Sequence, residues 1–272
     1  MNPYLPIRKV PLDYQGIQSN AFSVQMEKPI KEGKGENQMT INKWDEVGTV
    51  SNNYLLVENA DVKDMALQIV DESGIDFTQD KVFFDGKRFV LSFIAKNDSI
   101  GEVAVGDDVA IGFQMWNSYD GSTSLGFKMM LYRLECLNGM MSNTELSRYK
   151  FRHNIDSENW AEDLENVSHS LQAANRGNNL RVHAMIENFR KLHSTHIDMF
   201  SLEQIRNGFI KDIPTQLFGS LVDRFLNKET NNGWQLLNAA TDELWHKEKP
   251  TVASYNHNAT IVDGLCDWVA AA

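Results

Sequence analysis

Two cysteines, Cys136 and Cys266, are all this chain of 272 residues contains, and they stand far apart. A disulfide framework and a cysteine-rich metal site are both excluded by that scarcity. Long apolar runs are missing too: no window approaches the ~18 residues needed to span a bilayer, and the start Met1-Asn-Pro-Tyr-Leu-Pro-Ile-Arg-Lys9 has no apolar core behind its charges. The chain is therefore expected to be soluble and cytoplasmic, with no membrane partner. Basic residues are in deficit, giving a formal net charge of -11, which speaks against a protein coated in cations for duplex nucleic acid. No Gly-x-Ser-x-Gly elbow occurs, and Gly33 and Gly35 lack the setting of a phosphate loop, so no catalytic residue and no cofactor are proposed from motif.

What is present is a chain with 42% hydrophobic residues, enough for a substantial core. Four of the six prolines (Pro3, Pro6, Pro11, Pro29) and the polar run Lys31–Gln38 fall in the first forty residues, which read as a flexible N-terminal arm over 1–40. Val62, Met65, Ala66, Ile69 and Val70 then mark an amphipathic helix that Gly74 stops. Val82-Phe-Phe, Asp85-Gly86 and Arg88–Ile94 predict a hairpin. Val109, Ile111, Phe113 and Met115 alternate on a further strand, as do Leu125, Phe127, Met129 and Leu131 beyond the turn Asn117–Ser122.

From Ser157 the period becomes helical. Stripes appear at Trp160, Leu164, Val167, Leu171 and Ala174, then at Val182, Met185, Ile186 and Phe189; Ser201 can cap a third helix, Pro214 open a fourth, and Asn232–His246 form a fifth. The expected fold class is α+β: an antiparallel sheet with a covering helix over 41–155, followed by a helical region over 156–272 packed on it.

The candidate functional residues lie between Lys128 and Arg152. Lys128, Arg133, Arg148, Lys150 and Arg152 are opposed there only by Glu135 and Glu145, before an acidic stretch containing Asp156, Glu158, Glu162, Asp163 and Glu165. Extending the strand to Leu137 puts Arg133 and Glu135 on the apolar face, either where that face runs out into solvent or as a site for a ligand phosphate. Lys128 and Tyr132 take the other face. Cations beside flat aromatic rings are what an unstacked nucleic-acid strand requires. In Arg148–Phe151 an extended backbone would set Arg148 and Lys150, with Arg152, opposite Tyr149 and Phe151, or leave them as a solvated edge. His183, His193 and His196 lack the partners of a metal site, so no metal is expected. Cys136 reads as a buried thiol in a strand.

The runs Arg133-Leu-Glu-Cys136-Leu-Asn138, Arg152-His153-Asn154 and Trp234-Gln-Leu-Leu-Asn238-Ala-Ala-Thr241–His246 together resemble an uncharacterised phage/plasmid-type family, a domain of unknown function. The chain departs from that pattern at Asn154, Gln235, Ala240 and Trp245, the last standing where an aspartate is usual. The resemblance spans roughly residues 80 to 250 and implies a gene of a phage or mobile element in a bacterial host. The order of helix, antiparallel strands and helix is also similar to the core of single-strand annealing proteins. On these grounds the expected function is single-stranded DNA binding in recombination or replication, by strand annealing. Lys128, Tyr132, Arg133, Arg148, Lys150 and Arg152 are the expected contacts, with Trp116 or Tyr149 as further stacking rings. Asn138, His153, Asn238, Thr241 and His246 are expected either to join one site or to form a polar network locking helix to sheet. The other readings are an accessory protein that binds a host protein, and a nucleotide-processing enzyme using His153 and His246. A homo-oligomer is a further expectation.

Overall fold

The computed structural model describes residues 2–14, 17–32, 39–142, 148–151, 153, 160–228, 230–246 and 252–271. It is α+β, as the change of periodicity implies. The arm expected over 1–40 is instead largely strand. β1 (Ile7–Tyr14), β2 (Ile17–Glu32) and β3 (Met39–Ser51) form an antiparallel meander of their own. Proline misleads here because Pro11 and Pro29 sit in two-stranded or edge positions where a missing N–H is tolerated. Val24, Met26, Val47 and Val50 make a small core closed by Tyr119, which reaches over from the second sheet.

The second sheet carries the candidate site. Helix α1 (Asn59–Ser73) precedes it and ends at Gly74, whose φ of 63° is the left-handed cap that glycine supplies. Then β4 (Thr78–Phe84), β5 (Arg88–Ala104), β6 (Asp107–Ser118) and β7 (Leu125–Arg133) pair in order, all antiparallel. The Asp85-Gly86 hairpin forms, but Phe84 pairs with Phe89, so the loop is longer than a two-residue turn. Asp85 Oδ1 ties it by accepting from the N–H groups of Lys87 and Arg88 at 2.9 and 2.7 Å. The outer edge of β7 is shared by two short strands, β8 (Asn138–Met140) near its end and β9 (Arg148–Phe151) near its start.

Helices α2 (Trp160–Asn175), α3 (Leu180–Ser194), α4 (Met199–Gln204), α5 (Thr215–Leu226), α6 (Gly233–Trp245) and α7 (Val252–Ala271) follow. Asn179 and Asn232 cap α3 and α6; the cap of α4 is Asp198, and Ser201 donates to it from inside the helix. A single π-helical turn, Ile205–Phe209, continues α4. Helix α7 had no counterpart in the periodicity reading, because its buried positions take up the larger part of its circumference and leave a strip at Ala253, Asn256, Asp267 and Ala270 exposed. Among the described residues no helix is long and apolar enough to cross a membrane.

The helices do more than cover one side of the sheet. Phe89, Leu91, Phe93, Ile111, Phe113, Phe127 and Met129 face the main core beneath α1, α2 and α3, while Val90, Ile94, Met130 and Tyr132 form a second core with Trp245, Tyr255 and Ala259. Helix α6 joins the two, with Trp234 in the first core and Trp245 in the second. Two glycines make the second face possible. The Tyr132 ring lies over Gly112 and the Trp116 ring over Gly126, each filling the space a Cβ would need. At Gly112 an added Cβ would also come 2.6 Å from the Phe93 carbonyl oxygen, which is backbone and cannot yield cheaply. Gly112→Ala should accordingly destabilise the protein by about 2 kcal/mol or more in denaturant unfolding.

Candidate ligand recess and polar clamps

Antiparallel pairing places directly opposite residues on the same sheet face. On the second face the register reads Val90, Trp116, Gly126 and Lys150 across one row, and Ser92, Gln114, Lys128 and Arg148 across the next. Arg88 begins the row before, opposite Ser118. A recess of about 260 Å³ opens here, lined by Arg88, Gln114, Trp116, Lys128, Tyr255 and Asn256 among others, with no Asp or Glu in its wall among the described residues. Its floor is polar. Gln114 is only 3% exposed, and its Nε2 has no hydrogen-bond partner.

This geometry redistributes the residues expected from sequence. Lys128 does occupy the predicted face, but at 4% exposure it lines the recess rather than an open sheet surface. Tyr132 is fully buried, edge-on to Trp245 at 5.4 Å, with its hydroxyl 3.4 Å from Asp80 Oδ2; it has no free ring face for a base, and its expected stacking role is corrected on that ground. Burial pushes its phenol pKa well up, with Asp80 adding to the rise. The segment after the Asn138-Gly139 turn does return to the strand that carries Arg133, with Arg148 opposite Lys128 and an exposed Lys150 opposite Gly126. Arg152 lies outside the described residues, as do Glu145 and Asn154.

Arg133 belongs to a clamp. The strand stops at Arg133, so Glu135 is in the following turn rather than on the apolar face, and Cys136 is a half-buried turn residue rather than a strand one. Arg133 Nε donates to Asp107 Oδ1 at 2.6 Å, Trp234 Nε1 donates to the other oxygen of the same carboxylate at 2.7 Å, and Arg133 also pairs with Glu135. The carboxylate at the start of β6 thereby holds the end of β7 and the start of α6 together. Such a pair protects two buried charges, and removing one partner strands the other. Arg133→Ala should cost roughly 3 kcal/mol in unfolding free energy, a loss that urea titration would register.

The remaining polar residues gather in two places instead of one. Asn138 is buried; its Oδ1 lies 2.8 Å from His246 Nε2, and its Nδ2 reaches the Asn238 carbonyl at 3.5 Å. His246 Nε2 also approaches the Cys136 carbonyl at 3.1 Å, next to Leu137 with its left-handed φ of 53°. Thr241 turns back on its own helix, donating to the carbonyls of Leu237 and Asn238. Asn238 is buried with both amide atoms unpartnered.

His153 is elsewhere. Its Nε2 accepts from the Leu125 N–H at 2.9 Å, so the proton sits on Nδ1 and is donated to the Leu55 carbonyl at 2.8 Å, while the ring stacks on Tyr54 with 4.5 Å between centroids. Leu125 and Arg133 are the two ends of β7, which at ~3.3 Å per residue sets the His153 and His246 clusters about 25 Å apart. No shared acid–base site for these two histidines is assembled. Likewise, His183 and His193 are exposed, His183 bonding the Gly177 carbonyl, and no group of three His, Cys, Asp or Glu ligands occurs among the described residues.

The site is therefore a small cationic and aromatic recess on a sheet covered from both sides, with the polar clamps around it. The chain belongs to the family described as Domain of unknown function (DUF932), whose model matches residues 46–262. That span holds the whole second sheet and runs into α7, and thus includes both the recess and the clamps. No curated protein and no solved structure matches the chain. The sequence reading missed Gln114 and Arg88; the available signal was a glutamine inside the otherwise apolar run Ile111-Gly-Phe-Gln-Met-Trp116.

Burial lowers the pKa of His153, and the bond to the Leu55 carbonyl opposes the shift. The neutral ring is thus favoured in the folded state, so its contribution is complete above the unfolded value of ~6.5 and is lost as pH falls through the lower folded value. Unfolding free energy should drop on acidification below about pH 6.5. His153→Ala should be less stable by roughly 1–3 kcal/mol at neutral pH and show a flatter dependence over the same range.

Proposed function

We propose that this chain is a single-stranded DNA-binding protein of a phage or plasmid, acting in the cytoplasm of a bacterial host in recombination or replication, with strand annealing as its activity. The observation that carries the reading is the sheet face around the recess: Arg88, Trp116, Lys128 and Lys150 lie on it in three successive rows, in a chain of net charge -11, with no carboxylate among the described recess residues. Phosphates need cations and unstacked bases need a flat ring, and these residues supply both across adjacent rows of one sheet face. The volume of about 260 Å³ falls under the ~300–1,000 Å³ of sites that enclose a whole small molecule. One base of a polymer fits that scale better than a free substrate does. A duplex hides its bases in the stack, so the strand offered to the recess must be single. The footprint differs from the one expected from sequence: Arg88 and Trp116 enter it, Lys128 and Lys150 stay, and Tyr132 and Arg133 leave it for the core and the clamp.

A titration of labelled single-stranded oligonucleotide at several salt concentrations tests the proposal. Affinity should fall steeply as salt rises, because each phosphate contact releases counterions. Arg88→Ala with Lys150→Ala should reduce the slope of log affinity against log salt by roughly 1.4, at about 0.7 per lost phosphate contact on a single strand. Absence of binding at about 50 mM salt would sink the proposal and turn attention to a protein partner. For that second reading the favouring observation is an apolar cleft between α4 and α5, where Met199 and Phe200 are 72% and 66% exposed beside Phe218 and Val222.

A further inference from the structure

We infer that the cleft between α4 and α5 docks a second copy of this chain, in a two-fold dimer where each copy lays Phe200 into the other's cleft. The inference is independent of the single-strand reading above and uses none of the recess residues. The cleft holds about 500 Å³ and is lined by Leu202, Arg206, Phe218 and Val222, with Met199 and Phe200 exposed at its rim. Leu226, one turn beyond Val222 on α5, extends the apolar strip at 56% exposure. Single exposed apolar side chains are ordinary on a protein surface. Gathered at one cleft, with phenylalanine and methionine among them, they mark a contact surface.

Charge selects the occupant. From Asp198 to Lys228, the carboxylates of Asp198, Glu203, Asp212 and Asp223 are balanced by Arg206, Lys211, Arg224 and Lys228, although the whole chain carries -11. Two copies of so acidic a chain repel over most of their surfaces, and a neutral segment is where they can meet. The same neutrality offers no net field to nucleic acid or an anionic membrane. Shape agrees, since a two-fold contact needs a surface complementary to itself. Protruding side chains and the cleft that receives them lie side by side here. Glu203 and Arg206 stand three residues apart on the wall, so the axis can set each acid against the other copy's base. Gly219 adds a separate sign. It lies in the middle of α5 on the stripe of Val222 and Leu226, and a Cβ there would meet nothing within 4 Å. Packing inside the chain does not call for glycine at this position, and a helix interior disfavours it. A neighbour that approaches the α5 backbone closely does call for it.

Sedimentation equilibrium of the full chain from roughly 1 μM to 1 mM tests the inference. The wild-type protein should pass from one chain to two and go no further, because a two-fold contact closes on itself. Phe200→Glu should raise the dissociation constant of the dimer roughly tenfold or more, by removing an aromatic anchor and placing a carboxylate in an apolar cleft. Gly219→Gln should weaken the dimer too, by filling the approach to α5. Both positions are exposed, so at a dilution where wild type is monomeric Phe200→Glu should melt with it, and Gly219→Gln no lower. Added salt should leave the dimer intact while it releases a single strand from its phosphate contacts. A chain still monomeric at about 1 mM, one that assembles beyond a pair, or a dimer unchanged in both variants would overturn the inference. Each of these results leaves single-strand binding to be judged by its own titration.

Discussion

Burial of the three central strands on both faces is the constraint from which the rest of the molecule follows. Every residue from Phe89 to Ala95, Val109 to Met115 and Leu125 to Tyr132 is buried. Antiparallel sheets commonly leave one face to water, and a sheet that does not must find partners for polar groups on both. Here the main core takes the odd-numbered positions of β5, β6 and β7, while the second face takes the even-numbered ones, among them Ser92, Gln114, Lys128 and Tyr132.

The way those polar groups are satisfied sorts structure from candidate function. Tyr132 crosses Gly112 toward Asp80 on β4, and Ser92 bonds the Lys81 backbone, so both are accounted for within the fold. Arg133 and Trp234 divide the Asp107 carboxylate between them, which fixes where α6 starts. From there α6 passes the sheet edge and delivers Trp245 against Gly139, Tyr132 and Tyr255. Because α6 and α7 close the second face over only part of its length, the rows holding Gln114 and Trp116 remain open as a recess.

The span matched by the DUF932 family takes in the second sheet, the clamps and the first part of α7. The residues that carried the family likeness in the sequence, Arg133, Asn138, His153, Asn238 and His246, are mostly clamp residues. Asn138 and His246 join β8 to the end of α6, and His153 pins the start of β7 to Leu55. Their positions at opposite ends of one strand explain why a likeness spread over distant segments does not define a single pocket. The recess instead draws on Arg88, Gln114 and Trp116, which stood outside those runs.

Local patterning in the sequence was sufficient for what depends on local physics: α1 and its glycine stop, the β4–β5 hairpin, the alternation of β6 and β7, the succession of helices to α6, and hence the α+β class. Hydrophobic period and capping chemistry act within a few residues and are written in order along the chain. The sheet of β1, β2 and β3 was obscured because its prolines and charges suit edge and two-stranded positions that composition cannot tell from a loop. Only the tertiary structure decided that the second sheet face is covered, that Tyr132 is core while Lys128 and Trp116 border a cavity, and that His153 and His246 belong to separate clusters. Those facts depend on which strands become neighbours and on where α6 and α7 come to rest, and such long-range packing leaves no periodic trace in the residues it brings together.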